Sequence, residues 1–159
     1  MNLPPELITF VSAMLPVTEL RLAIPVALQV FEMSPVSAFS YAVIGNFIPV
    51  LFLLLLYEPV TKFLMERSTF FDKLISKIFD KTRHKHTEKF NKYGALFLIF
   101  FVAIPLPGSG GWTGSMIAYL FGVPLKYSLL LISIGLICSG LIVTLGFESI
   151  TSIIDLIRA

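Results

Sequence analysis

Two charged side chains, Glu19 and Arg21, lie in an otherwise mostly apolar stretch of the chain, "PVTELRLAIP" (Pro16–Pro25). A carboxyl group shielded from water can take up and release a proton, and a guanidinium group can hold an anion. The two residues are two positions apart, so on a helix their side chains would diverge instead of pairing. An unwound backbone would let both face one cavity, and the alternative is a buried pair that is purely structural.

A second stretch, "IPLPGSGGWTG" (Ile104–Gly114), has the composition of a backbone break. Proline lacks an amide donor, and glycine weakens a helix through backbone entropy. The freed amides are donors for an anion, and a helix starting after the break adds its positive dipole end. The tryptophan either contacts a ligand or anchors the chain. The candidate site residues of this stretch are Pro105, Pro107, Gly108, Ser109, Gly110, Gly111 and Trp112.

The chain as a whole has the composition of a membrane protein. Apolar residues make up 56% of its 159 positions and charged residues 14%, whereas a soluble domain carries about 25% charged residues. The mean hydropathy is +0.88. A chain of this length has room for one membrane domain, residues 1–159, and for no separate soluble module.

The gaps between charged residues predict an all-α fold. The apolar runs 35–57 and 126–147 are long enough to cross a hydrocarbon core of about 30 Å as helices. The regions 1–31 and 93–123 are interrupted at their centres, and each arm reaches about half way through a bilayer. We expect both to be re-entrant helical hairpins. Asn46, a polar residue in the first crossing, is expected to hydrogen-bond to a neighbouring helix.

The two halves of the chain repeat this plan. Pro105 follows Pro16 by 89 positions, and Pro124 follows Pro35 by the same distance. Because each half holds one hairpin and one crossing, the second half enters the membrane from the opposite face. The sequence therefore predicts an inverted-topology repeat, which is the plan of many secondary transporters.

The middle of the chain is basic. Residues 62–92 hold nine lysines and arginines against four acidic residues. The excess of basic residues places this segment in the cytoplasm and both termini outside. Its apolar residues recur at helical spacing, with lysines on another face, which predicts an amphipathic helix in the headgroup layer or a plain connector. The apolar set is Phe71, Leu74, Ile75, Ile78 and Phe79, and the lysines are Lys73, Lys77 and Lys81.

Broken backbone at membrane depth persists only where it is buried in protein or lines a wet cavity. Two hairpin tips entering from opposite faces would meet near the midplane and form such a site. A bundle of two crossings and two hairpins is thin, so we expect a homodimer to complete the burial. The other expected partners are membrane lipids and a small-molecule or lipid-phosphate substrate, with no nucleic acid. His84 and His86 lack companions at metal-ligand spacing, and we expect no metal and no cofactor.

Three segments resemble the small multidrug export protein family: "ELRLAIPVAL" (Glu19–Leu28), "GNFIPV" (Gly45–Val50) and "FVAIPLPGSGGWTGSMIA" (Phe101–Ala118). The resemblance covers nearly the whole chain. That family is distantly similar to the DedA membrane proteins, whose paired re-entrant hairpins carry Glu, Arg, Pro and Gly at their tips. The resemblance implies an exporter of small molecules, and it assigns motif positions to Glu19, Arg21, Pro25, Pro105, Pro107 and Gly108.

These features leave three functions open. The first is a proton-coupled secondary transporter, with Glu19 as the titrating group between the hairpin tips. The second is a DedA-like translocator of a phosphate-bearing lipid carrier, held by Arg21 and the glycine amides. The third is a structural protein whose hairpins only pack. No arrangement of nucleophile and base or of paired carboxylates lies in the membrane segments, so we expect no enzyme. Export ranks first.

Overall fold

The computed structural model describes residues 3–106 and 108–158, apart from the side chains of Asn91 and of residues 153–158. Over these residues the chain is helical and contains no strand. In chain order the elements are α1 (Pro5–Met14), α2 (Glu19–Gln29), α3 (Pro35–Arg67), α4 (Thr69–Tyr93), a 3₁₀ turn (Gly94–Leu96), α5 (Phe97–Ala103), α6 (Gly111–Leu120) and α7 (Leu125–Arg158).

The two pairs of short helices are interrupted by the same local chemistry, a residue that precedes a proline. Leu15, before Pro16, has φ −78° and ψ 142°. Ile104, before Pro105, has φ −75° and ψ 118°. Proline clashes with a preceding residue in helical conformation, so both residues are extended. Helices α1 and α5 end for this reason, and the chain forms two units of helix, break and helix.

The long helix α3 begins with a complete cap. Ser34 Oγ accepts a hydrogen bond from the Ser37 amide at 3.2 Å, and Pro35 occupies the first helical position, where an amide would have no intrahelical acceptor. The helix continues through two internal prolines to Arg67, past the predicted end of the crossing at residue 57. It ends at Ser68, whose backbone is extended, with φ −154° and ψ 126°.

Helices α3 and α7 carry the packing of the short helices. α1 and α2 both contact α3, and α5 contacts α7. The second helix of each pair also crosses to the long helix of the other half, α2 to α7 and α6 to α3. The fully buried side chains at these contacts are Leu20, Ile24, Val50, Leu98, Val102, Ile117, Ile132 and Leu136. The core therefore lies between the two breaks and the two long helices.

The contact of α1 with α3 depends on one glycine. A Cβ atom on Gly45 would collide with the carbonyl oxygen of Phe10 and would lie 3.2 Å from the Ala13 Cβ. A small residue at a helix crossing lets two backbones approach closely. Gly45 therefore lets α1, and with it the first break, pack directly against the long helix.

Two of the described helices, Pro35–Arg67 and Leu125–Ser152 as the apolar part of α7, are long and apolar enough to cross a membrane, with mean hydropathies of 2.2 and 2.4. Only 28% and 39% of their apolar windows are buried, whereas a core helix of a soluble protein is mostly buried. These features agree with the expected all-α membrane protein. The re-entrant paths, the inverted repeat and the division into 1–31, 62–92 and 93–123 stay predictions.

The basic middle segment forms α4, which is attached to the second helix–break–helix unit. Arg83 Nη2 donates a hydrogen bond to the Leu120 carbonyl oxygen at 2.9 Å, at the C-terminal end of α6. Cations are favourable there because the last carbonyls of a helix are unpaired. The rings of Phe90 and Phe121 stack with their centroids 4.2 Å apart. Helix α4 therefore lies behind the second break.

Candidate functional site

The two backbone breaks meet through Arg21. Its Nη1 atom donates a hydrogen bond to the carbonyl oxygen of Leu106, and its Nη2 atom donates to Ser109 Oγ at 3.1 Å. Both acceptors belong to the second break, whereas Arg21 lies in the first turn of α2, just after the first break. The planar guanidinium presents several donors at fixed angles, which suits two acceptors at once.

The carboxylate of Glu19 lies at the N-terminal end of α6. It is 6% exposed, and its Oε1 atom accepts a hydrogen bond from the Trp112 amide at 3.4 Å. Trp112 lies in the first turn of α6, where unpaired amides and the helix dipole favour a negative charge. Oε2 of the same carboxylate lies 3.8 Å from Arg21 Nη2. The sequence predicted free amides that would bind an external anion. The amide of Trp112 is not free, because it donates its hydrogen bond to Glu19.

The backbone of Glu19 adopts a conformation that side chains seldom take. Its φ is +45°, although the residue begins α2. A non-glycine residue in this region is uncommon and costs about 1 to 3 kcal/mol when the surroundings hold it there. Glu19 and Arg21 are therefore not related as on a regular helix, and they form the ion pair that helical spacing alone would not give.

Gly110 and Gly111 provide room for this arrangement. Gly110 has φ +140°, and a Cβ atom on it would collide with the Glu19 carboxylate. A Cβ atom on Gly111 would lie 2.7 Å from Val50 Cγ2 and 2.9 Å from Asn46 Oδ1. These glycines lie between α2 and α3 and are selected for close approach. The geometry gives them a positioning role, and their role as donors to a ligand stays a prediction.

Ser109 folds the second break onto itself. Its hydroxyl oxygen lies 2.7 Å from the carbonyl oxygen of Ile104 and 2.9 Å from that of Leu106. It also accepts a hydrogen bond from the Leu106 amide at 3.3 Å. A single hydroxyl therefore satisfies backbone groups that the broken helix leaves unpaired, and it also receives Arg21. Ser109 itself is buried, so these backbone groups find their partners within the protein.

Trp112 connects the second unit to the end of α1. Its Nε1 atom donates a hydrogen bond to the Met14 carbonyl oxygen at 3.2 Å. Met14 is the last residue of α1, so this carbonyl has no intrahelical donor. Of the two roles left open for this residue, the geometry favours the anchor.

A cavity of about 460 Å³ lies between the two breaks. The first break contributes Pro16, Val17 and Thr18 to its wall, followed by Glu19, Arg21 and Leu22. The second contributes Pro105, Gly108, Ser109 and Thr113. Cavities of this size hold small organic ligands, for which about 300 to 1,000 Å³ is usual. The cavity has an apolar rim and one ion pair in its wall, and so it can hold a small molecule beside a proton-accepting group.

The structure brings most of the predicted site residues together. Glu19, Arg21, Pro105, Gly108 and Ser109 line the cavity. Gly110, Gly111 and Trp112 are not in its lining and hold Glu19 from behind. Pro25 lies within α2, half-buried and away from the cavity. Pro107 lies outside the described residues.

The sequence did not predict that Asn46 would lie next to the second break. It is fully buried on α3, and neither Oδ1 nor Nδ2 has a hydrogen-bond partner among the described residues. The expected hydrogen bond to a neighbouring helix is therefore wrong. Its Oδ1 atom lies beside Gly111, at the start of α6. The signal was present in the sequence as a polar residue in the middle of an apolar crossing, but its distance from the second break in sequence concealed the contact.

A comparison with known protein families covers the residues of the candidate site. A model of the family described as "Putative small multi-drug export protein" matches residues 19–142. The match begins at Glu19, and it contains the apolar run 35–57, the whole second unit and most of the run 126–147. No curated protein and no solved structure matches the chain. The similarity to DedA proteins stays a hypothesis. Because the family model covers most of the chain, the protein belongs to the small multi-drug export protein family.

Proposed function

We propose that this protein is a secondary transporter that exports small molecules, with the cavity between the two breaks as its site and Glu19 as its proton-coupling group. The observation that carries the proposal is the position of Glu19, a buried carboxylate in the wall of a ligand-sized cavity that joins the two breaks. The family description supports export of small molecules. Ionisable groups at membrane depth usually mark a transport pathway.

Proton uptake by Glu19 would loosen the contact between the breaks. The ionised carboxylate attracts Arg21 across 3.8 Å, an interaction worth about 4 kcal/mol before desolvation at an effective dielectric constant of about 20. It also accepts the Trp112 amide at the positive end of α6. Protonation removes the charge from both interactions. The contact with Trp112 joins the first break to the second unit, so its weakening lets the two breaks separate more easily.

The same contacts rank export above lipid translocation. The lipid alternative requires Arg21 and the amides of the second break to hold a phosphate group. Arg21 already donates to Leu106 and Ser109, and Glu19 already receives the Trp112 amide. An anion would have to displace Glu19 from both partners. A neutral or cationic substrate would not.

A homodimer and a fixed orientation complete the proposal. Val17 and Leu22 line the cavity and are 86% and 53% exposed, and a second copy would cover such apolar side chains. Cysteine crosslinking at Val17 in membranes tests the dimer, and its absence at every spacer length would refute it. We place α4 in the cytoplasm and both termini outside. A cysteine at Lys85 that reacted with an impermeant label from outside would reverse this orientation.

Transport into reconstituted vesicles tests the coupling. The purified protein is placed in vesicles with an imposed pH difference, and ethidium and carboxyfluorescein serve as cationic and anionic probes. We expect gradient-driven movement of at least one probe, and its loss in Glu19→Gln, which keeps the shape of the side chain but cannot titrate.

Glu58→Gln is the matched control, because Glu58 is exposed on α3 and lies outside the cavity. It should transport as the unaltered protein does. Gradient-driven movement that persisted in Glu19→Gln would leave Glu19 a structural counter-charge of Arg21 and refute proton coupling through it.

A further inference from the structure

A second cavity, of about 580 Å³, lies on the other side of the second break, between α4 and α5. It shares Gly108 and Ser109 with the cavity between the breaks. Its remaining wall is of two kinds, a polar side from α4 and an aromatic side from α5. Apart from Leu106, whose carbonyl oxygen accepts a hydrogen bond from Arg21, none of its other lining residues belongs to the proposed transport site.

The polar side is positively charged. Lys85 and Lys89 line the cavity, and their spacing of four residues puts them on one face of α4. Among the described residues neither lysine forms an ion pair, and no acidic side chain lines the cavity. Two exposed lysines therefore border one volume without a counter-charge, which favours an anion.

His86 lies between the two lysines in sequence and also lines the cavity. It is 7% exposed, and its Nδ1 atom has no hydrogen-bond partner among the described residues. Its ring packs against Phe97 and Phe101, with centroids 5.8 and 5.1 Å away. A buried ring nitrogen without a partner is costly.

The opposite wall is apolar and only partly covered. Phe100, Ile104 and Leu106 line it with exposures of 61%, 49% and 59%. Large apolar side chains that border a charged wall suit a ligand with an apolar part and a charged end. A free inorganic anion would leave this wall unused.

We propose that the α4–α5 cavity binds an amphiphile with an anionic head and an apolar tail, the head at Lys85 and Lys89 and the tail along Phe100 and Ile104. Such a molecule comes either from the bilayer, as an anionic phospholipid, or from outside it, as a free single-chain anion. The inference concerns binding at a cavity apart from Glu19, and it does not require that the protein transport anything.

Native mass spectrometry of the purified full-length protein in a non-ionic detergent measures this binding directly. The probes are laurate and dodecyltrimethylammonium, which have chains of equal length and opposite charge, and phosphatidylglycerol and phosphatidylcholine with identical acyl chains. We expect retention of the anionic member of at least one pair over its partner. Laurate retention identifies a free anion as the ligand, and phosphatidylglycerol retention alone identifies a bilayer lipid.

The double substitution Lys85→Gln and Lys89→Gln should lower the retained anion about tenfold. Lys73→Gln with Lys77→Gln is the matched control, because it removes the same charge from exposed positions of α4 outside the cavity. It should change retention less than twofold. Equal losses in the two double variants would overturn the proposal, as would equal retention of the cationic and anionic probes.

A second pair of variants tests the apolar wall. Ile104→Ser shortens the tail contact, and we expect it to lower retention of the anion by several-fold. Ile137→Ser is its control, because Ile137 has a similar exposure, 46% against 49%, and lies on α7 away from the cavity. Equal retention in these two variants would show that the tail does not lie along Ile104 and would contradict the proposed pose.

Discussion

The two backbone breaks of this protein have the same cause and opposite chemistry. Each follows a residue that is extended because a proline comes next. The first break leads into Glu19 and Arg21, whose side chains carry charge. The second, residues 104–110, contains no charged residue and presents carbonyl oxygens and a hydroxyl. Charged side chains of the first break thus contact polar backbone and hydroxyl groups of the second.

This difference shows how an interrupted helix is accommodated in an apolar setting. A break frees backbone groups that water cannot reach, and each one needs a partner. Here the partners come from the opposite unit: Arg21 for the Leu106 carbonyl, Glu19 for the Trp112 amide and Trp112 for the Met14 carbonyl. Ser109 provides partners for the second break from within, and the contacts between the units add to these. The asymmetry of charge is what makes the two complementary.

The largest effect is expected from removing the charge that joins the breaks. Arg21→Ala leaves Glu19 buried without a counter-charge and removes the donor that reaches the Leu106 carbonyl from the first unit. We expect a loss of about 3 kcal/mol or more in the free energy of unfolding. Arg21→Lys keeps the charge but loses the planar fork, so it should recover about half. Thermal unfolding in detergent measures both variants.

Arg67→Ala serves as the control for that series, because Arg67 is exposed at the end of α3 and touches neither break. It should stay within about 0.5 kcal/mol of the unaltered protein. If Arg21→Ala were no less stable than Arg67→Ala, the complementarity of the two breaks would not contribute to stability.

The next largest effect on stability is expected from filling the space beside Gly110, where the Glu19 carboxylate lies. Gly110→Ala puts a methyl group where the Glu19 carboxylate lies, at φ +140°, and should cost at least about 2 kcal/mol. Gly108→Ala adds backbone strain at φ +78° in open space, so about 1 kcal/mol is expected. The same unfolding assay ranks the two. Similar losses would mean that strain, and not the approach of Glu19, selects these glycines.

Gly146→Ala is the reference for both glycine variants. A Cβ atom at Gly146 meets nothing within 4 Å, and the residue lies within α7. An alanine there should be neutral or stabilising, because glycine in a helix costs about 0.5 to 1 kcal/mol relative to alanine.

The smallest effect is a pH dependence of stability that belongs to the second unit only, because α4 packs against that unit. Burial and the neighbouring Lys85 and Lys89 lower the pKa of His86 below its ordinary value of 6.5. The folded state thus holds this imidazole neutral more strongly than the unfolded state does. Its stabilising contribution is present above pH 6.5 and is lost as the pH falls below that value.

Unfolding midpoints at pH 7.5 and pH 5 should therefore differ slightly more in the unaltered protein than in His86→Phe, which keeps the ring contacts with α5. His84→Phe, at an exposed position of the same helix, should keep the full pH dependence. An unchanged pH profile in His86→Phe would show that this ring does not sense pH.

The sequence predicted the features that depend on local chemistry. Prolines mark both breaks, charge gaps mark both long helices, and Glu19, Arg21 and Ser109 were expected to meet. The features it missed are backbone atoms and a distant amide. The acceptors at Met14 and Leu106 are backbone carbonyl oxygens. Every residue type has such an oxygen, so the sequence does not mark these positions. Asn46 reaches Gly111 only through the packing of α6 on α3, which no local pattern records.

The crossing of the second arms has a consequence for folding. Because α2 packs on α7 and α6 packs on α3, each half of the chain completes the core of the other. The two halves are interlocked, and we expect them to unfold as one cooperative unit. A fragment that ends at Ser68 would leave the α6-binding surface of α3 uncovered, and it should aggregate unless the complementary fragment is co-expressed. Recovery of folded protein from the two fragments together, and from neither alone, is the expected signature of this exchange.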